Sequence, residues 1–193
     1  FAVFAAGGNY YRPYAITRIE DTRGNILFDY IARGRDVANP QVIYQMVDMM
    51  RAVIDQGTGA VVRRMGFNLP AAGKTGTTSD YRDAWFVGFT PQLVAGVWVG
   101  LDDPAISLGE GQSGARAALP IWATFMNAAY DTLGWEVADF VMPAGVVKME
   151  ICADSFKKAR DFCPNIIEEV FRVEDAPVEY CPLHYGFPQT YKR

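Results

Sequence analysis

The sequence predicts an α+β fold: an antiparallel sheet covered by helices, followed by a small cysteine-containing appendage at the C-terminus. Three observations predict it. Two apolar runs, 84–89 and 93–101, are joined only by Thr90-Pro91-Gln92, a connection that fits antiparallel neighbours. Apolar residues recur at helical spacing on either side of them, around 40–55 and 119–133. Beyond Met142-Pro143 that patterning fades into short strand-like pieces, prolines and all three cysteines. The division expected is therefore 1–142 for the main domain and 143–193 for the appendage.

Taken in order, residues 1–8 read as the end of a small-residue helix, stopped by Gly7-Gly8. The stretch 14–30 alternates imperfectly about Asp21-Thr22-Arg23-Gly24-Asn25, which marks a β-hairpin. Asn39 can cap a helix and Pro40 suits its first turn. Val42, Ile43, Met46, Val47, Met49, Met50, Val53 and Ile54 then form an apolar stripe, and Gly57 and Gly59 end the helix. Three strands follow at about 71–78, 83–89 and 93–101. The last two are apolar at successive positions, so they should be central, with helices on both faces. After the loop 102–116, Ile121, Trp122, Phe125, Met126, Ala129, Tyr130 and Leu133 make an amphipathic helix closed by Gly134. The appendage offers strand-like pieces at 146–151 and 170–173.

The totals exclude several classes. A net charge of −4 and a pI near 5.0 give no basic face for nucleic acid. The longest apolar runs fall well short of the roughly 18 residues that a membrane span needs. No basic n-region precedes an apolar stretch at Phe1, so no signal peptide is read, and the opening Phe-Ala-Val-Phe-Ala-Ala-Gly-Gly reads as the continuation of a longer chain.

The chemistry is concentrated in Ala72-Gly73-Lys74-Thr75-Gly76-Thr77-Thr78, where one cation and several hydroxyls stand at the edge of an apolar sheet. That combination suits an anionic ligand. With Ala5-Ala6-Gly7-Gly8, Gly57-Thr58-Gly59, the block Asp80-Tyr81-Arg82-Asp83-Ala84-Trp85-Phe86-Val87-Gly88-Phe89-Thr90-Pro91, Gly96-Val97-Trp98-Val99-Gly100 and Pro120-Ile121-Trp122, it resembles the transpeptidase domain of class A penicillin-binding proteins. The resemblance runs over about residues 1–150. It implies a partial penicillin-binding, serine β-lactamase-like fold. It also implies a substrate ending in a D-alanine carboxylate, held by Lys74, Thr75, Gly76, Thr77 and Thr78. Lys74 would be catalytic, as would Thr77 through a backbone N–H directed at the oxyanion, and Gly76 would let an extended peptide lie against the strand.

In that family S-x-x-K and S-x-N elements precede K-T-G. Here no serine precedes Ser79. The resemblance thus implies the C-terminal part of a D,D-transpeptidase domain, carrying the carboxylate and oxyanion element but not the nucleophile, and inactive alone. It further implies no cofactor, and stem peptides ending in D-Ala-D-Ala as substrate, with β-lactams bound by the complete site. The upstream part of the same protein, or a second copy, would cover the open edge of strand 93–101. The parent would act outside the cytoplasmic membrane, anchored by an N-terminal transmembrane helix and carrying a glycosyltransferase domain. A D,D-carboxypeptidase or serine β-lactamase relative, and a non-catalytic binding module, are the alternatives.

Two features of the appendage compete with this reading. Ser155-Phe156-Lys157-Lys158 spells S-x-x-K, but it follows K-T-G and sits among charged neighbours, so Ser155 is set aside as nucleophile. Cys152, Cys163, Cys181 and His184 contain one ligand-like spacing, Cys181-x-x-His184. The other two cysteines stand too far apart for a usual pair. A disulfide with one cysteine left over is preferred, then free thiols, then zinc, and no metal site is assigned.

Overall fold

The structure, a computed structural model, describes residues 1–184. The chain divides into two compact units, Phe1–Val141 and Met142 onward.

The first unit opens with the short helix α1 (Ala2–Ala5) and strand β1 (Asn9–Tyr11). The hairpin β2 (Arg18–Glu20) and β3 (Ile26–Asp29) follows, and then β4 (Gly34–Asp36) pairs back antiparallel with β1. The hairpin turn is held by Asp21, whose carboxylate accepts the Arg23 N–H at 2.8 Å, the Asn25 N–H at 2.9 Å and the Asn25 side-chain amide at 2.7 Å. That side-chain amide, and then the Asn25 N–H, keep the Asp21 carboxyl below its ordinary value. The β1–β4 pair carries no sequence signal: three residues a side are too few to show alternation.

Helix α2 (Pro40–Asp55) begins as its sequence dictates, with Asn39 Oδ1 accepting the Gln41 N–H at 2.8 Å. It buries Ile43, Val47, Met50 and Ile54. A one-turn helix α3 (Val61–Arg64) leads into the three strands β5 (Ala72–Thr77), β6 (Asp83–Phe89) and β7 (Val94–Gly100), an antiparallel meander in the order β5-β6-β7. Helix α4 (Leu119–Leu133) closes the unit, ended by Gly134 in the left-handed region.

One face of the sheet is sealed by α4. Phe86, Trp122, Phe67 and Met126 are fully buried there, with Trp122 edge-on to Phe67 and Phe86 at 5.1 and 5.0 Å. The Trp122 Nε1–H reaches the carbonyls of Gly88 (3.3 Å) and Ala95 (3.1 Å), tying the helix to two strands. Gly73 and Gly88 make this fit possible. A Cβ on Gly73 would lie 2.6 Å from Phe86, and one on Gly88 2.7 Å from Trp122. The β6–β7 turn is anchored from the same side: the Tyr130 hydroxyl lies 2.7 Å from Thr90 Oγ1 and 2.8 Å from Gln92 Oε1, and Thr90 is wholly buried.

The other face corrects the expectation of complete two-sided cover. Helix α2 covers only the end bearing Ala72, Phe89 and Val94. Toward the opposite end Trp85 and Trp98 pair across the strands at 6.2 Å and remain 45 % exposed each. An apolar strand residue reports that its face can be buried, not that this chain buries it.

In the second unit β8 (Val146–Cys152) and β9 (Ile166–Arg172) form an antiparallel ribbon. Its buried residues among those described are Val146, Ile151, Val170 and the three cysteines, and the cysteines are all free thiols. The preferred disulfide is therefore not what the structure forms. No helix among the described residues is long and apolar enough to cross a membrane.

Candidate functional site

Among the described residues β5 pairs only with β6, so its other side is an open edge. The register fixes what faces that edge. The Thr78 N–H bonds the Asp83 carbonyl at 3.1 Å, one step beyond the Thr77–Ala84 pair. Antiparallel pairs alternate between hydrogen-bonded and non-bonded. Thr77 and Thr75 therefore belong to non-bonded pairs, and their N–H and C=O groups point outward.

Lys74 curls toward the same edge. Its Nζ donates to the Thr75 carbonyl at 2.9 Å and lies 3.5 Å from Thr75 Oγ1. Among the described residues no carboxylate pairs with it. The Thr75 hydroxyl is 3.1 Å from that of Thr58. Thr58 was legible in the sequence within the block Gly57-Thr58-Gly59, but with no role at the site. In the structure Gly57 and Gly59 fold the chain tightly against the end of α2, where a Cβ would lie 2.9 Å from Val53 in either case. This brings the Thr58 hydroxyl to β5. Arg63 secures the same corner, with its guanidinium on Asp55 and on the carbonyls of Phe67 and Leu69 at 2.9 Å each.

The other candidates are placed differently. The Thr77 hydroxyl accepts the Gly114 N–H at 3.1 Å. Gly114 opens the turn 114–118 and presses onto the β5–β6 backbone, a contact that no local pattern of residues signals. The Thr78 hydroxyl accepts the Asp83 N–H at 2.8 Å, and Asp83 Oδ1 accepts the Trp98 indole N–H at 2.8 Å. Thr78 thus closes the end of the strand pair. The turn beyond it holds Asp80 and Tyr81 at φ 59° and 53°, uncommon for residues with a Cβ. Loop 103–109 braces that turn: Ser107 Oγ donates to the Asp80 carbonyl at 2.5 Å, and the Leu108 N–H to that of Tyr81 at 2.8 Å.

The edge therefore presents a cation without a carboxylate partner among the described residues, a pair of linked hydroxyls, and two outward N–H groups two residues apart. Chemically it can hold an extended chain that ends in, or develops, a negative charge. The penicillin binding protein transpeptidase domain model matches residues 1–127. The chain belongs to that family. A second model, penicillin-binding protein 1A, C-terminal domain, matches residues 142–186.

Penicillin-binding protein 1A of Aquifex aeolicus is 37 % identical over 166 residues, covering 86 % of this chain and 22 % of that protein. The protein of the same name from Clostridium tetani is 30 % identical over 190 residues, covering 96 % and 24 %. The chain thus spans about a quarter of the length of these curated relatives. Among solved structures, penicillin-binding protein 1A from Haemophilus influenzae shares the fold, with a TM-score of 0.82 at 24 % identity over 93 % of this chain and 32 % of that one. The PonA1 protein of Mycobacterium tuberculosis, solved in complex with penicillin V, gives 0.58 at 26 % identity over 74 % and 38 %.

The second unit gathers the other chemically active group. His184 Nδ1 lies 3.4 Å from Cys152 Sγ and 3.2 Å from Cys181 Sγ. Burial pushes the Cys181 thiol up, but the Ser155 hydroxyl and the N–H groups of Leu183 and His184 outweigh it and bring it down to about 6. In Cys152 burial is likewise outweighed, by the Ser155 hydroxyl and the N–H groups of Asp154 and Ser155, and the thiol is lowered. In Cys163 burial prevails and the thiol is raised. His184 is lowered by burial and raised by hydrogen bonds to the two thiols, with a net rise.

Proposed function

We propose that this chain supplies the carboxylate-binding and oxyanion half of a serine D,D-transpeptidase site that cross-links peptidoglycan stem peptides. The observation that carries it is Lys74 on the open edge of β5, free of any carboxylate partner among the described residues and backed by Thr75 and Thr58. In this reading a peptide ending in D-Ala-D-Ala pairs along β5, its terminal carboxylate between the Lys74 ammonium and the threonine hydroxyls. The outward Thr77 N–H stabilises the oxyanion as the acyl carbonyl becomes tetrahedral. Gly76 leaves the strand flat beneath the substrate. Gly114 holds Thr77 in place, and Thr78, Asp83 and Trp98 hold the strand end.

The covalent half requires an activated serine within hydrogen-bond reach of a base. No serine precedes Ser79 in the sequence. The nucleophile and the S-x-N element are therefore assigned to another part of the same protein, or to a second copy. That chain would also cover the outer edge of β7 and the exposed apolar residues Val42, Met46, Met49, Ile121 and Phe125. The penicillin V complex of the M. tuberculosis relative supports β-lactams as ligands of the complete site. The parent is placed outside the cytoplasmic membrane, anchored by a transmembrane helix and joined to a glycosyltransferase domain.

The test is acylation followed by intact mass. Residues 1–193 alone should take up no penicillin, and supplying the S-x-x-K and S-x-N elements should restore uptake. An isolated chain that is acylated, and loses the adduct on Ser155→Ala, would overturn the assignment and make Ser155 the nucleophile.

A further inference from the structure

Among its described residues the second unit buries few apolar side chains. Beyond Val146, Ile151 and Val170, its buried cluster consists of Cys152, Cys163 and Cys181. Folds below about 70–80 residues rarely hold together on so few apolar groups without a disulfide or a metal. No disulfide joins the three thiols. Their sulfurs and a ring nitrogen of His184 instead lie within 4.8 Å of one another.

A tetrahedral ion with bonds of about 2.3 Å to sulfur and about 2.0–2.1 Å to nitrogen would set sulfur–sulfur edges near ~3.8 Å and sulfur–nitrogen edges near ~3.6 Å. His184 Nδ1 lies 3.4 Å from Cys152 Sγ and 3.2 Å from Cys181 Sγ, a small expansion short of that, while the widest separation in the cluster, up to 4.8 Å, must close by about 1 Å.

We propose that Cys152, Cys163, Cys181 and His184 bind one structural zinc ion, with His184 ligating through Nδ1 and Asp154 fixing its ring. Three separate segments converge to do so. Cys152 ends β8, Cys163 closes the turn that begins at Arg160, and Cys181-Pro182-Leu183-His184 returns beside Lys158 through the Cys181 N–H on the Lys158 carbonyl at 2.8 Å. His184 Nε2 stands 3.6 Å from the Asp154 carboxylate. An Nε2 proton facing that carboxylate leaves the Nδ1 lone pair to the metal, the arrangement in which a carboxylate orients a ligating histidine.

The sulfurs are also supplied with donors. The Arg160 N–H reaches Cys163 Sγ at 3.2 Å and the Leu183 N–H reaches Cys181 Sγ at 3.4 Å. These N–H groups offset the negative charge of three thiolates on one dication. The S-x-x-K tetrad finds its place here as well. Phe156, at φ 54°, wraps the chain around Cys152, and Ser155 turns its hydroxyl to the thiols. Four protein ligands leave no open position, so the ion holds structure and does no chemistry.

The full chain, purified under reducing conditions, should carry one zinc per molecule by elemental mass spectrometry. Mercurial titration of the thiols should release that zinc stoichiometrically. Cobalt in its place should give the thiolate-to-metal absorption of a tetrahedral sulfur site. Cys163→Ser should lose the ion to a competing chelator. Asp154→Asn keeps every ligand and should retain one-to-one binding at about 10- to 100-fold lower affinity. Chelation should abolish hydrogen-exchange protection across 146–181 and leave that of 40–133 intact. A reduced chain that retains no metal yet stays protected across 146–181 would overturn the proposal. So would iron in place of zinc, or a disulfide between two of the three cysteines in metal-free protein.

Discussion

Gly114→Ala joins the candidate site to the core in one experiment. A Cβ at this position would lie 2.2 Å from the Trp85 carbonyl oxygen, 2.6 Å from that of Gly76 and 3.1 Å from the Gly76 nitrogen. These are backbone atoms of two paired strands and cannot swing aside as a side-chain tip would. The turn 114–118 must lift, and the hydrogen bond to Thr77 Oγ1 lengthens with it. Overpacking of this kind costs about 1–3 kcal/mol, and the lost hydrogen bond about 0.5–1.5 kcal/mol. The expected loss is ~1.5–4.5 kcal/mol. All four tryptophans, Trp85, Trp98, Trp122 and Trp135, lie in the first unit, so urea unfolding followed by tryptophan fluorescence reads that unit alone. With a slope of about 2 kcal/mol per molar, a loss of ~2 kcal/mol lowers the midpoint by ~1 M. Gly96→Ala is the matched control, because its Cβ would meet only Val87 Cγ2 at 3.6 Å, an ordinary contact. A midpoint unchanged in Gly114→Ala, or lowered equally in Gly96→Ala, refutes the packing argument.

Trp122→Ala should cost about 3–5 kcal/mol in the same assay, since it empties the centre of the α4 face and unties the helix from two strands. Tyr130→Phe leaves the wholly buried Thr90 hydroxyl without its helix partner and should cost about 1–3 kcal/mol. In an enzyme completed with the upstream elements, Lys74→Ala should slow acylation by stopped-flow penicillin binding, as loss of one such preorganised partner costs about 2.7–4 kcal/mol; Thr77→Val keeps the backbone N–H and should slow it less, through loss of the hydrogen bond that its hydroxyl accepts from Gly114. Unchanged acylation in Lys74→Ala would remove Lys74 from the site.

The sheet and its two long helices were legible because their signals are local and strong. Asn39-Pro40 starts one helix, Gly134 stops the other, and Thr90-Pro91-Gln92 leaves room only for a tight turn. What escaped was relational. Thr58 and Thr75 are 17 residues apart and meet only because Gly57 and Gly59 let the chain fold back on α2. Gly114 lies in a loop without periodicity, and its role depends on two carbonyls that no local pattern encodes. The cysteines illustrate the same limit. Their spacing along the chain suggested one bridge and a spare thiol, while the β8–β9 ribbon and the return of 181–184 set three sulfurs and an imidazole around one point.

The placement of K-T-G on β5 follows from what surrounds it. A strand that binds an extended ligand needs one edge free and its backbone otherwise immobile. The free edge comes from β5 standing at the end of the order β5-β6-β7 among the described residues. Immobility comes from α2 beneath Ala72 at one end, and from Gly114 with the Thr78–Asp83–Trp98 chain at the other. Between these clamps the outward groups of Thr75 and Thr77 stand two residues apart, about 6.6–6.8 Å along an extended strand. That is the repeat at which a second extended chain presents its own inward groups. Lys74 then needs only to curl over the Thr75 carbonyl to put its charge at the end of such a chain, and its Nζ lies 2.9 Å from that oxygen. A lysine held by a carboxylate would be neutralised before a substrate arrived. In the proposed reading, a lysine held by a carbonyl and a hydroxyl is left available to an incoming anion.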